Sequence, residues 1–194
     1  MTGRRIAIIQ GHPDMADTHY CHALASVYGD AAAAAGHEVR NIQVAGKPFE
    51  LVRSKHDWDS GPVPAEIQSA QQTIAWADHL LIVYPLWLGT MPAMLKGFFE
   101  QVLRPGYAVD FGEDGRWRKL LTGKSARIVI TMGMPALAYR WFFRAHSLKS
   151  LERNILAFVG IKPVRSTLIG LVEQSDARRN RWLKRLADLG RKGR

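Results

Sequence analysis

Cysteine and long apolar runs are both scarce in this chain of 194 residues. Because Cys21 is the single cysteine, an internal disulfide is excluded, and so is a metal cluster held by several thiolates. No apolar stretch reaches the ~18 residues that a membrane-spanning helix requires. The apolar run near the amino end stops at Gln10, too early for a signal peptide. The sequence therefore predicts a cytoplasmic protein.

Several catalytic motifs are also missing. The chain has no Gly-x-x-x-x-Gly-Lys-Ser/Thr phosphate loop, no Gly-x-Ser-x-Gly elbow and no His-Glu-x-x-His zinc helix. The loop after the first predicted strand lacks Gly-x-Gly-x-x-Gly. These absences argue against a nucleoside triphosphatase, a serine hydrolase, a zinc protease and a conventional dinucleotide site. They also lead us to expect no metal site.

Acidic residues are few relative to basic ones, and the formal net charge is +10. Residues 178–194 hold eight Lys or Arg against one acid. Such a tail suggests nucleic acid or an anionic membrane. However, Trp182, Leu186 and Leu189 recur at helical spacing, which predicts an amphipathic helix over residues 174–190 with a solvated basic face. Nucleic-acid modules usually add a groove helix or an aromatic platform, so nucleic-acid binding is the weaker interpretation.

What the chain does contain is an alternation of strand and helix patterns. Hydrophobic residues make up 47% of the sequence, and the length suits one domain covering residues 1–194. Helical periodicity separates the predicted strands, which favours an α/β fold with a parallel sheet covered on both faces. The predicted strands are residues 4–10, 38–44, 79–84, 126–131 and 164–169. Residues 104–124 are predicted to be irregular, and a long helical region is predicted from about residue 140 to residue 158.

The most informative stretch follows the third predicted strand. Its loop carries Trp87 and Leu88, which are unusually apolar residues for an exposed turn and favour a large flat ligand. Pro92 suits the first turn of a helix. In that helix Leu95 and Phe98 share one side with Phe99 and Val102. A strand, an aromatic loop and a helix in this order form a ligand site at the carboxyl end of a sheet.

This segment resembles the flavodoxin-like NAD(P)H:quinone oxidoreductases. Their pattern is Pro-Leu-x-Trp-x-x-x-Pro-Ala-x-Leu-Lys-Gly, then two aromatics and an acid, and in this chain the aromatic moves by one position to Trp87. The resemblance extends from Ile6 to about Ile169. It implies a three-layer sandwich with a five-stranded parallel sheet of order 2-1-3-4-5. The residues that fit the pattern are Pro85, Leu86, Pro92, Ala93, Leu95, Lys96, Gly97, Phe98, Phe99 and Glu100.

The resemblance also implies a function. It predicts an enzyme that binds a flavin, FMN or FAD, and takes hydride from NAD(P)H onto flavin N5. The hydride then passes to a quinone or a similar small-molecule acceptor. Members of the family are commonly homodimers with sites at the interface. The alternative is an ancillary flavoprotein that docks on a potassium efflux transporter in the membrane, with the basic tail as the docking element.

The loop after the first strand is assigned to the flavin phosphate by this resemblance. Backbone N–H groups at the start of the following helix favour an anion. Asp17 has a structural interpretation instead, as the N-cap of that helix. The residues predicted to bind the cofactor from this loop are His12, Thr18, His19 and Tyr20.

The two remaining loops are assigned to the flavin ring and the substrate. Packing of Trp87 on the neighbouring helix is the structural alternative for the second loop. In the third region the resemblance implies that Tyr139 and His146 are catalytic. Their alternatives are a half-buried helix residue and a surface histidine. The further predicted cofactor contacts are Pro85, Leu86, Trp87, Leu88 and Gly89 in the second loop, and Thr131, Met132 and Gly133 in the third.

Overall fold

The computed structural model describes residues 3–16, 19–46, 49–112 and 116–194. Within them the strands are β1 (Arg5–Gln10), β2 (Glu38–Gln43), β3 (His79–Pro85), β4 (Val109–Phe111), β5 (Trp117–Lys119), β6 (Ser125–Met132) and β7 (Val164–Gly170). The α-helices are α1 (Tyr20–Ala34), α2 (Lys55–Ser60), α3 (Ala65–Trp76), α4 (Ala93–Val102), α5 (Ala136–Trp141), α6 (His146–Lys149), α7 (Ala157–Val159) and α8 (Asp176–Arg191).

Five strands form one parallel sheet in the order β2-β1-β3-β6-β7. Counted along the chain, this is the predicted order 2-1-3-4-5, so the predicted α/β fold class is confirmed. The predicted strands agree with the observed ones to within about one residue at each end. The stretch between α4 and β6 departs from the prediction of irregular structure, because β4 and β5 pair there as an antiparallel hairpin.

The sheet is buried on both faces, and β3 is its central strand. All seven residues of β3 are buried. Because side chains alternate along a strand, Leu80 and Ile82 enter one hydrophobic core, whereas Leu81 and Val83 enter the other. The predicted apolar side of α4 lies in the first core, where Leu95 and Phe98 are fully buried. Because both faces of β3 are buried, its sequence is a continuous apolar run and does not alternate between apolar and polar residues.

The second core lies between the sheet and the helix pair α1 and α8. Leu186 of α8 is fully buried beside Leu24 of α1. Gly190 allows close approach, because a Cβ atom there would lie 2.2 Å from the Tyr28 carbonyl oxygen. The basic helix predicted at residues 174–190 is observed at Asp176–Arg191. None of the helices in the described part of the chain is long and apolar enough to cross a membrane.

The region after β6 is more broken than the single helix predicted over residues 140–158. Helix α5 ends at Trp141, and the chain turns through Arg144 and Ala145 with φ of 53° and 48°. After α6, residues Ser150–Leu156 wind as a π-helix, which continues into α7. The prediction was wrong because it followed apolar periodicity and had no signal for a left-handed turn.

Candidate functional site

Three loops meet at the carboxyl edge of the sheet, after β1, β3 and β6. The Leu86 N–H donates to the Thr131 carbonyl oxygen over 2.8 Å, which joins the second loop to the third. The thiol of Cys21 and the hydroxyl of Thr131 share a hydrogen bond of 3.1 Å, which joins α1 to β6. Gly11 opens the first loop, where a Cβ atom would lie 2.6 Å from Leu95 of α4. These contacts fix the three loops relative to one another.

Three histidines cluster in the first loop and the start of α1. The ring centroids of His12 and His19 are 3.9 Å apart and stacked, and His22 lies 5.5 Å from His12. The Trp87 ring of the second loop meets His12 edge-on at 5.8 Å. His12 and Trp87, which lie on different loops and are both predicted to bind the cofactor, are therefore in contact. The described residues contain no group of side chains arranged to hold a metal ion.

Asp14 organises this histidine cluster. Its backbone N–H donates to His12 Nδ1 over 3.1 Å, and its carboxylate accepts a hydrogen bond of 2.7 Å from His19 Nε2. That bond, together with one from the Ala16 N–H, lowers the pKa of Asp14. Burial lowers the pKa of His12, and the neighbouring histidines act in the same direction. The cluster therefore combines a neutral, buried imidazole with an outer His–Asp pair.

The start of α1 has the properties of an anion site. The helix begins at Tyr20 with His19 as its N-cap, and its first turn contains no acidic residue. The positive end of the helix dipole is thus not neutralised from within the first turn. The predicted contact Thr18 and the predicted N-cap Asp17 both lie outside the described residues.

Tyr20 is directed away from the three loops. Its hydroxyl donates to the Arg179 carbonyl oxygen over 2.8 Å, which ties α1 to α8. Burial raises the pKa of this phenol to about 12. The side chain of Tyr20 is thus engaged in helix packing, and this position does not favour its predicted role as a cofactor contact.

The second loop closes in a tight turn with strained geometry. Trp87 and Thr90 exchange two backbone hydrogen bonds of 2.9 and 3.0 Å, so that Leu88 and Gly89 form the two-residue turn between them. Leu88 has a φ of 46°, a conformation that costs a leucine about 1 kcal/mol or more. Its side chain is fully exposed and that of Trp87 is half exposed, whereas Pro85 is buried and Leu86 packs on the core. A strained turn that presents apolar side chains to solvent is typical of a ligand-contacting loop.

The third loop leaves open space beside its backbone. Thr131 and Met132 are buried at the end of β6, and Gly133 follows at the surface. A Cβ atom at Gly133 would have no heavy atom within 4 Å apart from those of its own residue and the two adjacent ones. The fold itself therefore does not require glycine here, and the space lies at the edge where the three loops meet.

The two predicted catalytic residues occupy very different environments. Tyr139 is 1% exposed. Its hydroxyl shares a hydrogen bond of 2.7 Å with Ser147 Oγ and accepts one of 3.1 Å from the Leu148 N–H. His146, in contrast, is exposed at the first residue of α6. The buried phenol is fully engaged inside the protein, which favours a structural role for Tyr139. Only His146 is accessible to a substrate from outside.

Sequence reasoning missed some residues of this cluster. The His22 ring contacts the Gln10 side chain at 2.6 Å and the Asp14 carbonyl oxygen at 2.8 Å. The position of His22 three residues after His19 on a helix was a readable signal, because residues at i and i+3 are neighbours on the helix surface. The contact of Cys21 with Thr131 had no such signal, because it joins residues far apart in the chain.

Comparisons with known proteins agree with this architecture. An NAD(P)H oxidoreductase of uncharacterized role from Haemophilus influenzae is 32% identical over 130 residues, or 66% of this chain and 64% of the relative. An FMN-dependent NADH:quinone oxidoreductase from Nitratidesulfovibrio vulgaris is 29% identical over 109 residues, or 54% of this chain and 50% of the relative. The chain thus spans less than two thirds of the length of these relatives. Among solved structures, Smu.1420 from Streptococcus mutans has a TM-score of 0.80 and 27% identity, covering 96% of this chain and 98% of the other.

A shorter match bears on the alternative of a transporter subunit. The glutathione-regulated potassium-efflux system ancillary protein KefG from Cronobacter sakazakii is 43% identical over 65 residues. These residues amount to 32% of this chain and 33% of the relative. This match is minor beside the longer ones, so the comparisons favour the oxidoreductase interpretation.

One protein family accounts for nearly the whole chain. The model of the family described as having the flavodoxin-like fold matches residues 4–189. This range includes all five strands of the parallel sheet and all three loops at its carboxyl edge. The chain therefore belongs to the family of proteins with the flavodoxin-like fold.

Proposed function

We propose that the protein is an FMN-dependent oxidoreductase that uses NAD(P)H to reduce a quinone or a similar planar acceptor. The observation that carries this proposal is the convergence of His12, the strained Trp87–Thr90 turn and the open space at Gly133 on one edge of the sheet. The relative from Nitratidesulfovibrio vulgaris, whose name states dependence on FMN, supports FMN rather than FAD.

The residues of this edge suit the parts of a flavin. The start of α1, with His12 and His19 beside it, would hold the phosphate, because the backbone N–H groups at a helix start favour an anion. Trp87 and Leu88 would cover the isoalloxazine ring, and the backbone at Gly133 would lie along its edge. When bound, the flavin supplies the hydride chemistry, and the protein supplies position and electrostatics.

The two residues that the resemblance implies to be catalytic are assigned separate tasks. We assign His146 to contact the substrate, since its imidazole is exposed at the start of α6. Tyr139 acts as a positioning residue, because its hydroxyl holds Ser147 and Leu148 in the first turn of the same helix. Overall, NAD(P)H gives up a hydride, and the quinone gains that hydride and one proton.

A homodimer forms part of this proposal. Leu137, Trp141 and Phe142 are large apolar side chains exposed by 69%, 74% and 81%. Exposed apolar groups this close together, on one helix and its C-cap, are typical of an interaction surface. A second copy of the chain would cover them beside the site. Light scattering coupled to size-exclusion chromatography tests this, and a Trp141→Glu variant should be monomeric if the surface is used.

The decisive experiment is a titration of the flavin-free protein with FMN, FAD and riboflavin, followed by quenching of flavin fluorescence. FMN should bind most tightly, and riboflavin should bind more weakly because it lacks the phosphate. Addition of NADH or NADPH with a soluble naphthoquinone should then give turnover that depends on FMN. If no flavin binds at micromolar protein, the proposal is wrong.

A further inference from the structure

The opposite edge of the sheet contains a recessed cationic cavity. Its volume is about 320 Å³, within the usual range for small-molecule sites. The cavity lies at the amino ends of the strands, beside the first residues of β3 and β6. Because β3 spans the sheet, this cavity is about 20 Å from the loops at the carboxyl edge. The lining residues are Arg4, His79, Ser125, Ala126, Pro163, Arg165, Lys192 and Arg194.

Half of the eight lining residues are positively charged. They are three arginines and one lysine, and no acidic residue is among the other four. Among the described residues, none of these four cations has a carboxylate within ion-pair distance. Arg4 instead donates to the Gly193 carbonyl oxygen over 2.8 Å, which holds the end of the chain beside the cavity. The basic tail therefore forms one wall of a defined recess.

One of the residues that line the cavity is a buried histidine with an unpaired ring nitrogen. His79 is 3% exposed, and its Nδ1 shares a hydrogen bond of 2.8 Å with Ser125 Oγ. Its Nε2 has no hydrogen-bond partner. Burial lowers the pKa of His79 to about 3, and the charges of Arg4, Arg127 and Arg165 act in the same direction. A buried polar atom without a partner is costly, and this one belongs to a residue that lines a cationic cavity, with the atom itself closed off from solvent.

We propose that this cavity binds the phosphate monoester of a small compound, with Arg4, Arg165, Lys192 and Arg194 around the phosphate and His79 beneath it. Guanidinium groups match phosphate oxygens in geometry and charge. A dianion in the cavity would offset the repulsion among the cations, and its negative charge would favour protonation of His79. The recess favours a free compound over a membrane headgroup or nucleic acid, which would need a flatter surface.

The site can be tested by titrating the protein with glycerol 3-phosphate and following the His79 imidazole by nitrogen-15 NMR. Saturable binding should move the His79 signal toward the protonated form and leave those of His12 and His19 unchanged. Arg165→Glu should weaken binding by about tenfold or more, because it reverses a charge in direct contact with the phosphate. The matched control, Arg178→Glu, makes the same charge change about 20 Å away along α8 and should have little effect.

A second measurement separates the site from general charge effects. Calorimetry in buffers of different ionisation enthalpy should detect more proton uptake on binding by the parent protein than by the His79→Asn variant near neutral pH, since the protons released by the phosphate are common to both. The proposal is overturned if His79 does not respond to millimolar glycerol 3-phosphate. It is equally overturned if Arg178→Glu weakens binding as much as Arg165→Glu. Binding to phosphatidic acid vesicles or to DNA without binding to glycerol 3-phosphate would also contradict it.

Discussion

The imidazole rings of His12 and His19 stack with an angle of 24° between their planes, and Asp14 holds both of them. One short loop thus fixes two rings at the start of α1 through a single residue. The ring of His19 is the outer one, and it stands next to the residues expected to meet the phosphate. The stack is therefore the part of the candidate site most open to a direct test.

Replacing His19 should separate the stacking contact from the hydrogen bond. His19→Ala removes both, and we expect FMN to bind about tenfold more weakly, because His12 loses its stacked neighbour. His19→Phe keeps an aromatic ring but loses the hydrogen bond to Asp14. Its affinity for FMN should therefore lie between that of the parent protein and that of His19→Ala. Fluorescence quenching gives the dissociation constants. His56→Ala, an exposed histidine on α2, is the control, and an unchanged affinity for His19→Ala would contradict the assignment.

Glycine positions give a matched pair that separates binding from folding. Gly133→Ala should leave the free energy of unfolding within about 0.5 kcal/mol, since nothing lies within 4 Å of the new methyl group. The same change should weaken FMN binding if the ring passes there. Gly170→Ala should destabilise the fold, because its Cβ would lie 2.4 Å from the Ala136 nitrogen. Urea unfolding and FMN titration measure the two effects, and tight FMN binding by Gly133→Ala would place the ring elsewhere.

Replacing Tyr139 should lower the stability of the protein, whereas replacing His146 should lower the rate of flavin reduction. Tyr139→Phe leaves Ser147 and the Leu148 N–H without their buried partner, at a cost of about 1–3 kcal/mol in unfolding free energy. His146→Ala should leave stability nearly unchanged, because the side chain is exposed. It should slow flavin reduction by NAD(P)H, by up to ~10²-fold if water does not replace it. Stopped-flow bleaching of the flavin measures this rate. If His146→Ala reduces the flavin as fast as the parent protein, His146 is not a catalytic residue.

Burial of His79 should make the stability depend on pH. The unfolded chain takes up a proton near pH 6.5, whereas the folded protein takes it up only near pH 3. Stability from the neutral imidazole is therefore present above pH 6.5 and is lost as pH falls toward 3, by at most ~1.4 kcal/mol per pH unit. His79→Gln should lack this loss. Urea unfolding at pH 7 and pH 5, in buffers without polyvalent anions, compares the parent protein with His79→Gln. If the unfolding free energy of both falls equally between these pH values, the prediction is wrong.

The sheet was predictable because its signals are local. Runs such as that of β3 are apolar enough to be buried on both faces, and the loop beginning at Pro85 carries a long, specific pattern. The break after α5 was not predictable, because Arg144 and Ala145 adopt left-handed conformations that their residue types do not favour. The hairpin of β4 and β5 was not predictable either. Its strands have three residues each, which is too few for an alternation of apolar and polar residues to be recognised in the sequence.

The candidate site was predictable in its loops and less so in its side chains. His12 and Trp87 do meet across the first two loops. The direction of Tyr20 depends on where α8 packs, which its own sequence neighbours do not indicate. The engagement of Tyr139 likewise depends on the turn that brings Ser147 back beside it. Long-range packing therefore decided which of these side chains are accessible.

The π-helical winding at Ser150–Leu156 determines how this region tolerates changes in length. Leu151 and Leu156 are both buried although they stand five residues apart. In an α-helix residues at this spacing point about 140° apart, whereas the wider π-turn brings them onto one face. Deleting one residue between them would give a spacing of four, which an ordinary α-helix places on one face. The loss of one residue here would thus be absorbed by rewinding of the helix, with both leucines still in the core.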